Sequence, residues 1–293
     1  MEVTDLSEKP FYVVTVNYNS REHLANLIES LAEVPELKRL IIVDHSGELS
    51  GESLKAPFPV QLIREDNTGY GAGLNRGLKE IPVSDAIVLI CNPDVRLLTP
   101  ERFRDVAQYM GGNPQVGALA PRIITQDNVT VSSCRKFYNL STVMAVRFNW
   151  LVRRRPKFIE EHYYWNKGFD DPFVADWGSG AALFCRLSTF ADRNFFDERF
   201  FLYFEDVDFC ARLWKRGWSV EYFPKFVVEH YEARRSRKDP FFLFRHIRSM
   251  MQFVWKHKGF PTRDSLRLKC DGRRDSHKAL AENTKCVMNA IDG

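Results

Sequence analysis

Two hydrophobic periods alternate along the first half of the chain, and this restricts the fold more than any other feature. Phe11-Tyr-Val-Val-Thr-Val16 is β-branched and aromatic, which predicts a buried strand. Leu24, Leu27, Ile28 and Leu31 then recur at helical spacing, with Asn19 the expected N-cap and Glu22 three residues on. Leu40–Asp44 and Val60–Arg64 read as a second and third strand, and Leu74, Leu78 and Ile81 mark a helix after a run of glycines. Ala86–Ile90 is a fourth strand, followed by helical Phe103, Val106 and Met110. Strand–helix alternation of this kind predicts an α/β fold with a mostly parallel sheet covered on both faces. With 293 residues, the chain can bury a core without disulfide or metal staples.

Open parallel sheets bind ligands beyond the carboxyl ends of their strands. The residues there are polar: Asn17-Tyr18-Asn19, Asp44-His45, Asp66-Asn67 and Asn92-Pro93-Asp94. The second half is less regular. It predicts a strand over Ala181–Arg186, a helix through Val207, Cys210, Ala211 and Trp214 stopped by Gly217, and strands at Val220–Phe223 and Phe226–His230. Phe244, Ile247, Met251 and Val254 mark a last long helix, after which charge dominates and weak order is expected.

The formal charge of +4 gives no case for a dedicated nucleic-acid binder. Its distribution is uneven: residues 232–293 hold 15 Lys/Arg against 7 Asp/Glu, a net of +8, leaving −4 for the rest. Such a basic tail suits phosphate-bearing ligands or an anionic membrane surface, or is a solvated helix face. Arg147–Lys157 adds a second basic stretch in which Phe148, Trp150 and Leu151 precede Arg153, Arg154 and Arg155. None of the six cysteines forms a C-x-x-C pair, the first ten residues lack signal-peptide character, and no apolar run reaches the roughly 18 residues of a spanning helix. A cytoplasmic chain with reduced thiols is expected, with attachment to the inner face of the cell membrane left open.

Four groups of residues invite chemistry. Gly69, Gly71, Gly73 and Gly77 match neither G-x-G-x-x-G nor a P-loop. They read either as a flexible entry to a helix or as backbone approaching a diphosphate, with Asn67 and Asn75 hydrogen-bonding. Asn92-Pro93-Asp94 reads as a turn or as a carboxylate holding a divalent cation. Glu205-Asp206-Val207-Asp208 reads as helix capping, but three carboxylates in four residues exceed what a cap needs, and one could serve as a general base. His230 gains metal-ligand character only if it lies beside Asp94.

Together these motifs resemble the inverting glycosyltransferases of family 2, which have a GT-A fold. The resemblance rests on VTVNYNS at Val14–Ser20, IIVDHS at Ile41–Ser46, NTGYGAGLNRG at Asn67–Gly77, CNPDV at Cys91–Val95, DWGSGAALFCR at Asp176–Arg186 and FDERFFLYFEDVDFCARLWKRGW at Phe196–Trp218. It covers about Pro10 to Lys258, and its combined pattern is similar to bacterial rhamnosyltransferases of cell-surface polysaccharide assembly.

The resemblance implies roles for particular residues. Asn17 and Tyr18 lie in the first nucleotide loop, Asp44 contacts base or ribose, and Asn67, Gly69 and Asn75 line the diphosphate side. Asp94 and His230 bind Mg²⁺ or Mn²⁺, while Asn92 replaces an Asp common in relatives and leaves the site one charge poorer. Asp206 is the base, Trp177 and Gly178 lie near the acceptor, Glu205 belongs to the same region, and Asp208 is expected to cap its helix or pair with Arg212. The implied donor is a nucleotide sugar, dTDP-L-rhamnose first and a UDP-hexose second. The implied acceptor is a saccharide or lipid-linked saccharide. Two domains are expected, 1–238 as the GT-A unit and 239–293 as a basic helical extension. Rival classes are a nucleotidyltransferase, which would need a glycine-rich basic loop after the first strand, and a non-catalytic sugar-nucleotide-binding protein.

Overall fold

The computed structural model describes residues 9–34, 36–51, 54–147, 156–231 and 240–267. The expectations for Phe148, Trp150, Arg153–Arg155 and the last residues of the chain fall outside them. In chain order the strands are β1 (Phe11–Asn17), β2 (Leu37–Asp44), β3 (Val60–Arg64), β4 (Ile87–Cys91), β5 (Val95–Leu97), β6 (Val116–Ile124), β7 (Thr130–Val131), β8 (Cys134–Arg135), β9 (Phe173–Ala175), β10 (Trp177–Gly178), β11 (Ala182–Arg186) and β12 (Ser219–His230). The α-helices are α1 (Arg21–Leu31), α2 (Tyr70–Lys79), α3 (Phe103–Gly112), α4 (Leu140–Arg147), α5 (Lys157–His162), α6 (Glu205–Lys215) and α7 (Pro240–His257).

The main sheet runs β3-β2-β1-β4-β11-β6-β12-β5. β3, β2, β1 and β4 are mutually parallel, and β6 and β12 are parallel to each other. β11 runs antiparallel between β4 and β6, which makes the sheet mixed but mostly parallel. The two strands expected at Val220–Phe223 and Phe226–His230 are one, β12, interrupted by a register shift between Phe223 and Val227. Such a bulge lets one strand bend and pair with β6 on both sides of the break.

Strand alternation sends successive side chains into two cores. Tyr12, Val14 and Val16 of β1 meet Leu74 and Leu78 of α2 on one face. Phe11 and Val13 meet Leu24, Leu27 and Ile28 of α1 on the other. The first core also takes Phe253 of α7 and Leu266, so the C-terminal helix shares the interior of the main unit. One helix boundary differs from expectation. Ser20, not Asn19, precedes α1, and Asn19 is left-handed at φ 53°. Asn tolerates that region better than most residues, and the reversal it makes frees the Ser20 N–H to donate to Glu48.

Candidate active site

The carboxyl ends of β1, β2, β4 and β12 carry Asn17, Tyr18, Asp44, Asn92, Asp94 and His230. Asn17 and Asp44 pair in register at the ends of β1 and β2. The Asn17 amide donates to Asp44 Oδ1 at 3.0 Å and to Glu48 Oε1 at 2.8 Å. Asp44 also accepts from Ser46 N and Oγ and from Leu49 N. Burial alone would raise its pKa, but these four hydrogen bonds outweigh it and hold the carboxyl below its usual range. Asp44 therefore stays ionised and organises the loop after β2. That loop, with Arg64, Glu65 and Asp66 after β3, lines an open cleft of about 530 Å³. Tyr18 is exposed beside it in sequence, at the end of β1.

The glycines have a packing origin. A Cβ on Gly73 would lie 2.7 Å from His45 and 2.8 Å from Val16, so α2 can approach the sheet only without side chains there. At Gly71 the same atom would meet Phe196 at 2.8 Å. Gly69 has φ 120°, and a side chain would strike the Phe201 backbone at 2.8 Å. The structure corrects the expectation for Asn75. Its side chain is fully buried, donating to Phe196 O and Glu198 and accepting from Phe196 N. Both ends of the amide are occupied in tying α2 to the segment before α6, so it does not line a diphosphate. Asn67 is exposed and accepts from Gly69 N at 3.2 Å, forming the turn into α2.

Asn92, Asp94 and His230 meet. His230 Nε2 lies 3.3 Å from Asp94 Oδ1 and 3.2 Å from the Asn92 amide. β12 delivers His230 because it pairs with β5 just after Asp94, and Tyr231 N donates to Asp94 O. Asp94 Oδ1 is buried without a hydrogen-bond partner. An orphaned carboxylate oxygen beside an imidazole is a donor set that suits a hard or borderline divalent cation. Among the described residues no group of three His, Cys, Asp or Glu forms a closed metal cage. Any such cation would need further oxygens from its ligand.

Glu205 and Asp206 open α6 after a strained turn. Tyr203 and Phe204 are consecutive left-handed residues at φ 68° and 67°. Neither is glycine, and each such residue costs on the order of 1 kcal/mol or more. Packing offsets it: Phe204 is buried against Tyr138, His246 and Phe253. The reversal aims Asp206 Oδ2 at Gly180 N, 2.9 Å away, while Oδ1 accepts from Val207 N at 2.8 Å.

The two acids differ. Glu205 is pushed up to about 8, first by burial and then by the charge of Asp206. Its Oε2 has no hydrogen-bond partner. Asp206 is also raised, chiefly by burial, with the N–H groups of Gly180 and Val207 and the Arg135 guanidinium opposing. Both acids are raised by burial, and Asp206 alone has backbone N–H donors from other residues and a guanidinium opposing the rise, so it is the member whose ionised form the surroundings favour. Such a carboxylate can take a proton from a hydroxyl.

Around this pair stand residues the sequence reading did not single out. Tyr70 donates its hydroxyl to Gly180 O at 3.3 Å, and burial raises its pKa well above normal, helped by Glu205, Asp94 and Asp206. Arg135 stacks on Trp177 at 5.0 Å and Tyr163 at 5.4 Å, with its Nε buried and unpartnered. Neither had a readable signal: Tyr70 sits inside the glycine run, and Arg135 in a stretch without periodicity. Trp177 and Gly178 are buried in β10, with Trp177 Nε1 donating to Lys136 O. They form a wall behind the site and present no free polar group to it. Asp208 pairs with Arg212 at 3.0 Å, the structural role expected of it.

Comparison with known proteins agrees with this geometry. Residues 12–173 match the family model described as Glycosyl transferase family 2. The chain is 30% identical over 281 residues to an N-acetylglucosaminyl-diphospho-decaprenol L-rhamnosyltransferase of Mycobacterium tuberculosis, covering 87% of this chain and 88% of that protein. It is 26% identical to rhamnosyltransferase WbbL of Escherichia coli, covering 88% and 97%. Among solved structures, GalNAc-T7 with UDP, GalNAc and Mn²⁺ superposes with TM-score 0.53 at 12% identity, over 76% of this chain and 44% of that one. Staphylococcus aureus TarS 1–349 superposes with TM-score 0.50 at 16% identity, over 76% and 60%. Both carry the GT-A arrangement of a mixed sheet with flanking helices. The chain thus belongs to glycosyltransferase family 2 and has the GT-A fold.

Proposed function

We propose that this glycosyltransferase moves L-rhamnose from dTDP-L-rhamnose to a hydroxyl of a lipid-linked saccharide, inverting the anomeric centre, at the inner face of the cell membrane. The observation that carries the reaction type is Asp206, a half-buried carboxylate anchored by two backbone N–H groups beside Glu205, whose pKa burial pushes up to about 8. The donor sugar and the acceptor class are supported by the names of the mycobacterial and Escherichia coli relatives.

In this reading the nucleoside rests in the cleft of Asp44, Ser46, Arg64 and Asp66, with Tyr18 and Asn17 at its edge. Asn67 and the Gly69 backbone flank the diphosphate. Asp94 and His230, with the Asn92 amide, are the residues that would hold a divalent cation, Mg²⁺ or Mn²⁺. Such an ion neutralises charge on a departing diphosphate. Asp206 removes the proton of the acceptor hydroxyl as its oxygen attacks C1. Glu205, holding its proton, donates to the acceptor or to the departing side, and its neutrality spares Asp206 a second adjacent charge. Trp177 and Gly178 back the acceptor side, with Arg135 the cation nearest the base.

The test is release of nucleoside diphosphate from a donor panel that includes dTDP-L-rhamnose and UDP-hexoses, with Mg²⁺ or Mn²⁺ and a lipid extract. Extract-stimulated turnover of dTDP-L-rhamnose, lost in Asp206→Asn, is the expected result. Turnover of a UDP-hexose instead would overturn the donor and leave the mechanism standing.

A further inference from the structure

The C-terminal helix faces the wrong way for a helix that merely completes a core. α7 turns Ser249, Phe253 and His257 inward, where Ser249 Oγ donates to Leu202 O at 2.7 Å. Its outward face carries the large apolar side chains. Phe244 is 64% exposed, Met251 60% and Trp255 79%, with Ile247 also exposed between them. At 3.6 residues per turn, these four fall within about 80° of one another. This is a continuous stripe along nearly the whole helix, with no described residue covering it.

The charge around the stripe is of one sign. Arg248 is exposed at the edge of the stripe, and Lys258 is exposed just beyond the end of the helix. Arg245 lies beside it, its guanidinium 4.2 Å over Phe201 and 5.0 Å over Phe241. Residues 240–267 contain six Lys or Arg and a single acid, Asp264. A helix with large apolar residues, Trp among them, and cations at the stripe's edges has the chemistry of a helix lying in a lipid headgroup region. The apolar groups enter the acyl boundary while Arg and Lys reach phosphates. A second copy of the chain is the weaker fit. A two-fold contact sets one patch against itself. The same apolar and basic surface of the copy would then meet Arg248, and α7 carries no acid to receive it.

We propose that this outer face of α7 docks on an anionic lipid surface and sets the catalytic turn at a fixed height above it. The inference deepens the reading of a lipid-linked acceptor and rests on it for its purpose. The inner face of α7 grips the turn that carries the base: His246 packs on Tyr203 and Phe204, and Phe253 packs on Phe204. One helix diameter, about 10 Å, therefore separates the docked face from residues adjoining Asp206. A saccharide hydroxyl joined to a membrane lipid lies at such a height.

The experiment is co-sedimentation of the full chain with vesicles of phosphatidylethanolamine and phosphatidylglycerol, or of phosphatidylcholine alone, at low and high salt. Binding to the phosphatidylglycerol vesicles that weakens with salt is expected. The pair Met251→Glu and Trp255→Glu should lower partitioning by about tenfold or more while nucleotide-sugar binding is retained. Phe244→Ser, about two helix turns from Met251, is the second variant and should weaken binding in the same direction. Absence of binding at low salt, or equal binding by the variants, overturns the proposal. So does a wild-type dimer that the variants dissociate, which would assign the face to a second copy. The two readings fail separately. Transfer to a detergent-solubilised lipid-linked acceptor without vesicle binding sinks the docking face alone. Vesicle binding without any transfer to lipid-linked saccharides sinks the acceptor reading alone.

Discussion

Glu205 and Asp206 are adjacent acids with opposite assignments, and stability should report the difference. Glu205 binds its proton more tightly when folded, about 8 against a usual 4.5. The folded chain then holds more protons than the unfolded one between those values, so stability falls as pH rises through that window. Glu205→Gln removes this penalty. The variant should match the native chain at pH 5 and exceed it by about 1–3 kcal/mol at pH 9, read by thermal denaturation at both. Asp206→Asn should instead lower kcat by about 10²–10⁴ with donor affinity retained, read by product release and by titration with the nucleotide sugar. Much at this scale was legible. Asp44, Asp94, Asp206 and His230 were legible as polar residues at strand ends or a helix start, the positions from which an open α/β sheet can offer side chains to a ligand. Asn75 was misread because a buried amide and a ligand-facing amide look alike until the segment it ties is known, and Phe196 lies 121 residues away.

Helices were readable from their period, but the period does not say which way a face points. Phe244, Ile247 and Met251 announced α7, yet they form its outer side. What orients the helix is a polar cluster assembled from distant parts of the chain. Asp208 is fully buried and accepts from His257 Nε2 at 2.9 Å, Lys256 Nζ at 2.7 Å and Arg212 Nε at 3.0 Å. Burial would raise its pKa, but these partners outweigh it and keep it low. Lys215 Nζ lies 2.9 Å from His257 Nδ1, and the burial-lowered pKa of His257 suits a neutral ring accepting there and donating from Nε2 to Asp208. Asp208→Ala would leave cations facing one another, at a cost of about 3–5 kcal/mol. It should expose α7 to proteolysis before the rest of the chain, which limited digestion would reveal. Glycines follow the same logic. Gly71→Ala places a Cβ 2.8 Å from Phe196 and 3.4 Å from Glu205. It should cost about 1–3 kcal/mol and lower kcat, because the segment that must yield carries the base.

Across the whole molecule, the residues proposed for donor binding and the residue proposed for base catalysis come from different elements. The parallel half, β3-β2-β1-β4, ends in Asn17, Asp44 and Asn92–Asp94, as an open α/β sheet predicts. The proposed base arrives from elsewhere, at the start of α6 after the Tyr203–Phe204 turn and held by Gly180 N. Alternation of strand and helix was enough to foresee the first half. In the second half β11, α6, β12 and α7 were foreseen, while β8, β9 and β10 escaped because they have two or three residues each and no readable period. The division has a measurable consequence. Asp44 bonds Asn17, Ser46 and Leu49, while Asp206 bonds Gly180 and Val207, so the two carboxylates share no partner. Asp44→Asn should weaken nucleotide-sugar binding by about tenfold with a small change in kcat, since it loosens the loop lining the donor cleft. Asp206→Asn should do the reverse. Independent sites add, so kcat/KM of the double variant should show the product of the two losses, with a coupling below about 0.5 kcal/mol. A larger coupling would mean that the donor cleft and the base move as one unit, and that nucleotide binding itself sets the position of Asp206.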